Sequence, residues 1–488
     1  MKKEKLKKDL LYFFLYVVLV VIAFIYMVPI KFHVNTFEQV LFHLGQPMGD
    51  AGPHIIWNVA QHIFWKSLFS FLGILIISAA VHKIITKTKR KFSVKYIFKI
   101  NDGVYRKIIA VWLAVSAVFM VVYGVSGFKI ISYLKNANKP YSMYYEHNYV
   151  YPRKENIKFP KKNNLIIIHL ESIEKCYCEN EVFDSVITPN IAELRRENLS
   201  FKGYKQVFGT GWTIGGIFSG YCGIPLNVVI NQNNDYGRFE DFFANIKCMP
   251  EILKDNGYRT CYMQGAALAF AGKDKFFSQH GMDEVYGKDE FFMGDDFKEE
   301  YEGDWGVNDH ALFKYAKEKI NKMSKKKGPF LFSMLTVDTH NPGFLNPVCE
   351  KKYDIHLKNV VACSDKLVGD FMEWLKKQDF YKNTTIVILG DHLAMNCELR
   401  KQHIQDPNRE IVNIFINPVK TTKNTDRTFT AFDLMPTIIE SIGGEIKGGR
   451  LGLGTSLFCG RETLIERDGQ REFDEKIYEK SRLYESFR

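Results

Sequence analysis

Asp391 and His392 stand side by side where an apolar run stops. Residues 385–389 are β-branched or aliphatic, the character of a strand buried on both faces, and Gly390 breaks the run just before the pair. A lone Asp at a strand-to-helix turn is ordinary capping chemistry. The pattern is repeated, however. The run 165–170 ends in Glu171 and Ser172, and the run 330–337 leads to His340 within TVDTHNP. Two carboxylates and an imidazole suit a divalent cation, Zn2+ or Mn2+ rather than Ca2+. Such an ion polarises a phosphoryl oxygen and sharpens a neighbouring hydroxyl as a nucleophile. The stretch FGTGWTIGGIFSGYCGIPL, residues 208–226, offers hydroxyls. Its glycines let backbone approach a ligand, and Thr213 falls where a helix can begin and hold an anion on free N–H groups. Thr210 and Ser219 are rival hydroxyls. The plainer reading is a Gly-rich turn with Thr213 as helix cap.

These residues need a scaffold that brings strand ends together. Apolar strands at 165–170, 258–263, 330–337 and 385–389 alternate with helical patterns such as 249–255 and 360–376. That alternation predicts an α/β domain with a mostly parallel central sheet flanked by helices on both faces. Sites in such sheets form outside the carboxyl ends of the strands, where Glu171, His340, Asp391 and His392 all fall. There is no internal repeat and no low-complexity tract.

At 488 residues and 46% hydrophobic content, the chain can hold this domain and more. Three apolar runs precede it, at 10–29, 63–80 and 108–125, each of bilayer-spanning length, with Lys66 weakening the second. A cleaved signal peptide would explain only the first. The N-terminus carries five Lys against Glu4 and Asp9, and residues 83–107 carry nine Lys or Arg against Asp102. Between Lys31 and Lys66 there is none. The positive-inside rule therefore predicts a cytosolic N-terminus and 83–107 loop, with everything after the third run outside. The two basic stretches account for the whole formal charge of +11. The basic balance is thus topology, with no nucleic-acid footprint, and Lys325–Lys327 reads as a solvated loop. All nine cysteines lie after residue 175, in the part placed outside the cytosol, where disulfides persist. The predicted organisation is a membrane region at 1–130, a juxtamembrane linker at 131–162, the catalytic domain at 163–460 and a charged, peripheral helical tail at 461–488.

The run GTGWTIGGIFSGYCGIPL, with LESIE before it and LTVDTHNP and GDHLAMN after it, resembles the bacterial phosphoglycerol transferases. These are membrane-anchored members of the alkaline phosphatase and sulfatase superfamily. The motifs look nearest to the enzymes of periplasmic glucan synthesis, with lipoteichoic acid synthases more distant. The likeness runs from about 160 to 458, taking in MQGAALAFAGKDKFFSQHGMDEVYG, DWGVND and LGLGTSLF. The membrane part departs from it, having fewer spans than either relative.

Carried over by position, the resemblance makes Glu171, Thr213, Asp391 and His392 metal ligands and Thr213 the nucleophile. His340 would contact the substrate phosphoglycerol. Lys273 falls where the synthases have an arginine, an exchange that loses bidentate phosphate recognition. Asp304 and Trp305 in DWG read as pocket lining or, equally, as a helix cap with a packed aromatic. The implied cofactor is one divalent ion, Mn2+ before Mg2+ or Zn2+. The implied donor is phosphatidylglycerol, through a glycerophospho-threonine, and the acceptor a glycan or polyol outside the cytoplasmic membrane. Cys349–Cys363 and Cys222–Cys248 are expected to be bridged. A phosphoethanolamine transferase is the alternative, although its motif around the threonine differs. A sulfatase would need a CxPxR or SxPxR nucleophile motif, which is missing. A non-catalytic glycan- or lipid-binding protein of the envelope is the remaining alternative, against which the intact ligand set argues.

Overall fold

The first three apolar runs are helices in the computed structural model, which describes residues 2–31, 53–86, 103–227, 241–294, 297–395, 399 and 408–488. They are α1 (Lys2–Lys31), α2 (Pro53–Thr86) and α3 (Gly103–Gly127). Within them Asp9–Tyr26, Ala60–His82 and Lys107–Gly127 are each long and apolar enough to cross a membrane. Leu15, Leu19, Ile74, Leu75, Ala79 and Ile109 pack together between the helices. Phe13, Phe69, Val111 and Val118 are exposed on their outer faces. A helix apolar all round needs an apolar surround, which a bilayer provides. Lys66 lies 4.9 Å from the centre of the Tyr26 ring, a cation–π contact that accommodates its charge. Most of the basic loop, residues 87–102, lies outside the described residues. Among the described residues, these helices belong to one compact unit that ends at Asn138, and Lys139–Arg488 make up the second.

The second unit is built on β1 (Asn164–Leu170), β2 (Arg259–Gln264), β3 (Glu284–Tyr286), β4 (Phe330–Leu335), β5 (Thr384–Gly390) and β6 (Asn413–Ile416). They form one sheet in the order β6-β5-β1-β4-β2-β3. Every pairing is parallel except that of β6 with β5. The two edge strands were not anticipated, being too short to show a period. The central strands are apolar on both faces because both faces are covered. Leu165 and Ile167 of β1 join the core that contains α4 (Thr213–Cys222). Ile166, Ile168 and Leu170 join the core of α5 (Asp309–Ser324) and α6 (His356–Lys376). Each such side chain contributes about 1.5–3 kcal/mol by burial.

The tail is helical but not peripheral. Phe473 and Ile477 of α7 (Gln470–Tyr478), with Tyr484 and Phe487 beyond it, lie in the same core as α4. Their spacing of three or four residues sits in helices too short for a pattern to stand out against the charges. The disulfides expected from the resemblance are formed, Cys222–Cys248 and Cys349–Cys363.

Candidate active site

Register decides which residues meet. Leu170 pairs with Gly390 across β1 and β5, so Glu171 and Asp391 leave the sheet side by side. Their ligand atoms and one from His392 lie within 4.8 Å of one another, and all three residues are buried. His392 Nε2 is 3.4 Å from Glu171 and 3.5 Å from Asp391 Oδ2. The other ring nitrogen, Nδ1, is 2.9 Å from the Leu393 carbonyl, which can only accept. Nδ1 therefore carries hydrogen and Nε2 is the nitrogen turned to the carboxylates.

Thr213 completes the group. The residue in cap position is Trp212, in extended backbone, and it makes no side-chain cap. Thr213 is the first residue of α4 and donates its hydroxyl to Glu171 Oε2 at 3.1 Å, with His392 Nε2 3.5 Å away. Its rivals are placed elsewhere. Thr210 bonds both the N–H and the carbonyl of Val207, and Ser219 is enclosed within α4. The tandem glycines allow α4 to approach this closely. A Cβ on Gly216 would lie 2.0 Å from the Asp391 carbonyl oxygen, and one on Gly215 2.7 Å from that of Gly209.

The electrostatics call for a cation. Burial alone would raise Glu171, but the charge and hydrogen bond of His392, then His340 and Ser172, hold it well below the usual carboxylate range. Asp391 is pushed up to about 7 by burial and by the Glu171 charge. Burial opposes protonation of His392, yet the Asp391 and Glu171 charges raise it to about 10. Asp391 Oδ1 accepts the N–H groups of Ser172 and His392, while Oδ2, equally buried, has no hydrogen-bond partner. A buried orphan carboxylate oxygen is costly unless a cation meets it. Two carboxylates, an imidazole and a hydroxyl fit one divalent ion. The other candidate group among the described residues, Cys248, Glu251 and His280, is not a metal site, because Cys248 is in a disulfide.

Three of the remaining predicted residues, His340, Trp305 and Lys273, form one wall with Phe270. His340 lies 4.4 Å from Trp305, ring to ring, and Trp305 5.7 Å from Phe270. Lys273 is buried, donates to the Phe270 carbonyl at 2.8 Å and sits 5.0 Å from the centre of its ring. Burial lowers it to about 8 against the raising pull of Glu171, Asp274 and Asp391. Burial also lowers His340, against the Glu171 charge, so its imidazole is neutral near pH 7. Asp304, by contrast, is exposed.

Sequence reasoning missed the supports. Thr336 and Thr339 bracket Glu171: its N–H donates to Thr336 Oγ1 at 3.0 Å, and its carbonyl accepts the Thr339 hydroxyl at 2.6 Å. Ser172, strained at φ +56°, donates its hydroxyl to Glu171 Oε1 at 2.7 Å. Buried Glu174 accepts the Ala394 N–H at 2.9 Å and pairs with Arg409, fixing the loop after His392. The Thr spacing in TVDTHNP was visible, but nothing in it says that both hydroxyls turn to one backbone.

The sulfatase family model matches residues 163–444, more than half of the chain and all of these strand ends. The chain belongs to the sulfatase family. Phosphoglycerol transferase I of Escherichia coli O6:K15:H31 is 36% identical over 315 residues, 62% of this chain and 39% of the relative. The Shigella flexneri protein of that name is 35% identical over 314 residues, with the same coverage. The chain thus spans about two fifths of the length of these curated relatives. Among solved structures, a lipoteichoic acid synthase of Listeria monocytogenes is similar over 68% of this chain and 81% of its own, at 20% identity and a TM-score of 0.49.

Proposed function

We propose that this chain is a membrane-anchored phosphoglycerol transferase that moves sn-glycerol-1-phosphate from phosphatidylglycerol to a glycan or polyol outside the cytoplasmic membrane. One observation carries the reading. The Thr213 hydroxyl, free of capping duty, points into a buried Glu171, Asp391 and His392 group at a helix N-terminus. The 36% identity to proteins named phosphoglycerol transferase I supports it. So do the three apolar helices, read as a multi-pass anchor.

Glu171, Asp391, His392 and Thr213 would hold the divalent ion, Mn2+ ahead of Mg2+ or Zn2+. When bound, it supplies Lewis acidity to a phosphoryl oxygen and lowers the pKa of a hydroxyl beside it. The N–H groups at the start of α4 and the Lys273 ammonium take up phosphate charge. Thr213 Oγ1 attacks phosphorus, a threonine–phosphorus bond forms, and the bond to diacylglycerol breaks, its oxygen taking a proton. An acceptor hydroxyl then attacks the same phosphorus, breaks the threonine ester and returns the proton to Thr213. His340, neutral and against Trp305, would exchange the proton in either step. Trp305 lines the substrate side beside His340.

The test is mass spectrometry of the 208–226 peptide after incubation of the full chain in detergent with phosphatidylglycerol. A phosphoglycerol adduct on Thr213 and released diacylglycerol are expected. Loading from phosphatidylethanolamine alone would replace this reading with phosphoethanolamine transfer, and acceptor labelling by Thr213→Ala would overturn the covalent route.

A further inference from the structure

α7 lies beyond the family-matched residues, yet it grips the loop that carries Thr213. The Asp474 carboxylate accepts the Phe208 backbone N–H at 2.5 Å, and the Tyr478 ring meets the Phe208 ring at 4.6 Å. Phe208 opens the stretch whose sixth residue is Thr213. Between the two, the hydrogen bonds of the loop run to Val207 and Leu226, and Trp212 packs against the core. Thr210 closes on Val207, and the Gly209 carbonyl, at a φ of +79° that favours glycine, accepts the Leu226 N–H at 3.3 Å.

The same segment holds the far end. The Tyr484 hydroxyl accepts the Asn227 N–H at 2.8 Å and donates to the Pro225 carbonyl at 2.8 Å. The segment is itself anchored, with Phe473 and Ile477 in the core and the Ile477 carbonyl accepting the Tyr145 hydroxyl at 2.7 Å. Both flanks of α4 are therefore fixed from one side by residues 474–484. We infer that this segment is a brace that sets the position of Thr213, and that Asp474 is a positioning residue acting through Phe208. This goes beyond the proposed chemistry, since a brace serves whatever phosphoryl donor the site takes.

The test uses the full chain in detergent, with Asp474→Ala, Asp474→Asn and, as a control, Glu472→Ala on the 63%-exposed outer face of α7. Deuterium exchange over 206–213 should rise by about tenfold or more in Asp474→Ala, because a local opening becomes cheaper. The rate of Thr213 loading should fall by about tenfold to a hundredfold, as expected of a small misplacement of a reacting group. The lipid concentration for half-maximal loading should stay within about twofold, the mark of a lost positioning role. Asp474→Asn keeps an acceptor oxygen and should restore most of both, and Glu472→Ala should change neither. Unchanged exchange in Asp474→Ala overturns the brace. So does a loss of loading that merely follows the folded fraction in thermal unfolding. Should Asp474→Ala fail to fold, Tyr478→Phe and Tyr478→Ala give the same comparison with the carboxylate in place. A wild-type protein that does not load from phosphatidylglycerol defeats the proposed function, and the exchange measurement still decides the brace.

Discussion

Thr213→Ser keeps the hydroxyl and its contact with Glu171, so it should load phosphoglycerol slowly, whereas Thr213→Ala should not load at all. Both should unfold at the wild-type temperature, because little packing is removed at the first residue of α4. Metal affinity belongs to the same scale. Asp391 rises to about 7 and His392 to about 10, so an arriving ion must displace protons from both. Affinity for Mn2+ should therefore weaken as pH falls through about 7, with proton release on binding, read by calorimetry in buffers of different ionisation enthalpy. A pH-independent affinity would mean that these ligands are not used. At this scale the sequence was largely legible. Glu171, Asp391 and His392 were visible because a buried strand has no reason to end in charge. Thr213 was separable from Thr210 and Ser219 only by likeness to relatives, since three hydroxyls in one Gly-rich stretch look alike until α4 has a direction.

The loop from β4 to His340 depends on a pair of buried acids. Asp309, at the start of α5, accepts the Val337 N–H at 2.7 Å on one oxygen and the Asp338 N–H at 3.2 Å on the other. Asp338 accepts the Asp309 N–H at 3.0 Å. Burial raises Asp309 to about 7, and burial with the Asp309 charge pushes Asp338 well above the carboxylate range. Asp338 thus favours its protonated form far more than a free carboxyl does. Asp338→Asn should be nearly neutral to stability. Asp309→Asn points an amide NH2 at a backbone N–H and should cost about 1–3 kcal/mol in urea unfolding. Because folding raises both pKa values, the folded state takes up protons. The stability this pair adds is full below the unfolded carboxylate value and is lost as pH rises through about 7. Equal losses in the two variants would contradict this division. The long central strands were readable as apolar runs, whereas β3 and β6, three and four residues long, were not. The acid pair gave no signal either, as Asp309 and Asp338 read as an ordinary helix start and a loop residue.

For the whole chain, the lysine and arginine asymmetry predicts that a reporter active only in the cytosol gives signal when fused after Arg90 and none after Lys162. Signal at both would put the catalytic unit on the wrong side for an exported acceptor. The front of the molecule was legible because a bilayer demands length and composition alone, which α1, α2 and α3 satisfy. The tail was not, because its apolar residues acquire meaning only against a core formed by distant segments. The pairing of β1 with β5 has one more consequence. Ser172 and Asp391 touch although they are 219 residues apart in sequence, and Glu171 beside Ser172 is as remote from Asp391 and His392. Asp391 and His392 are neighbours, but Glu171 joins them only through the pairing of β1 with β5, so the full ligand set exists only once the centre of the sheet has closed. Folding must precede loading, unlike a zinc finger, where the ion organises the chain. Mn2+ should then leave the refolding rate of the denatured protein unchanged and slow only its unfolding, as stopped-flow traces with and without the ion would show.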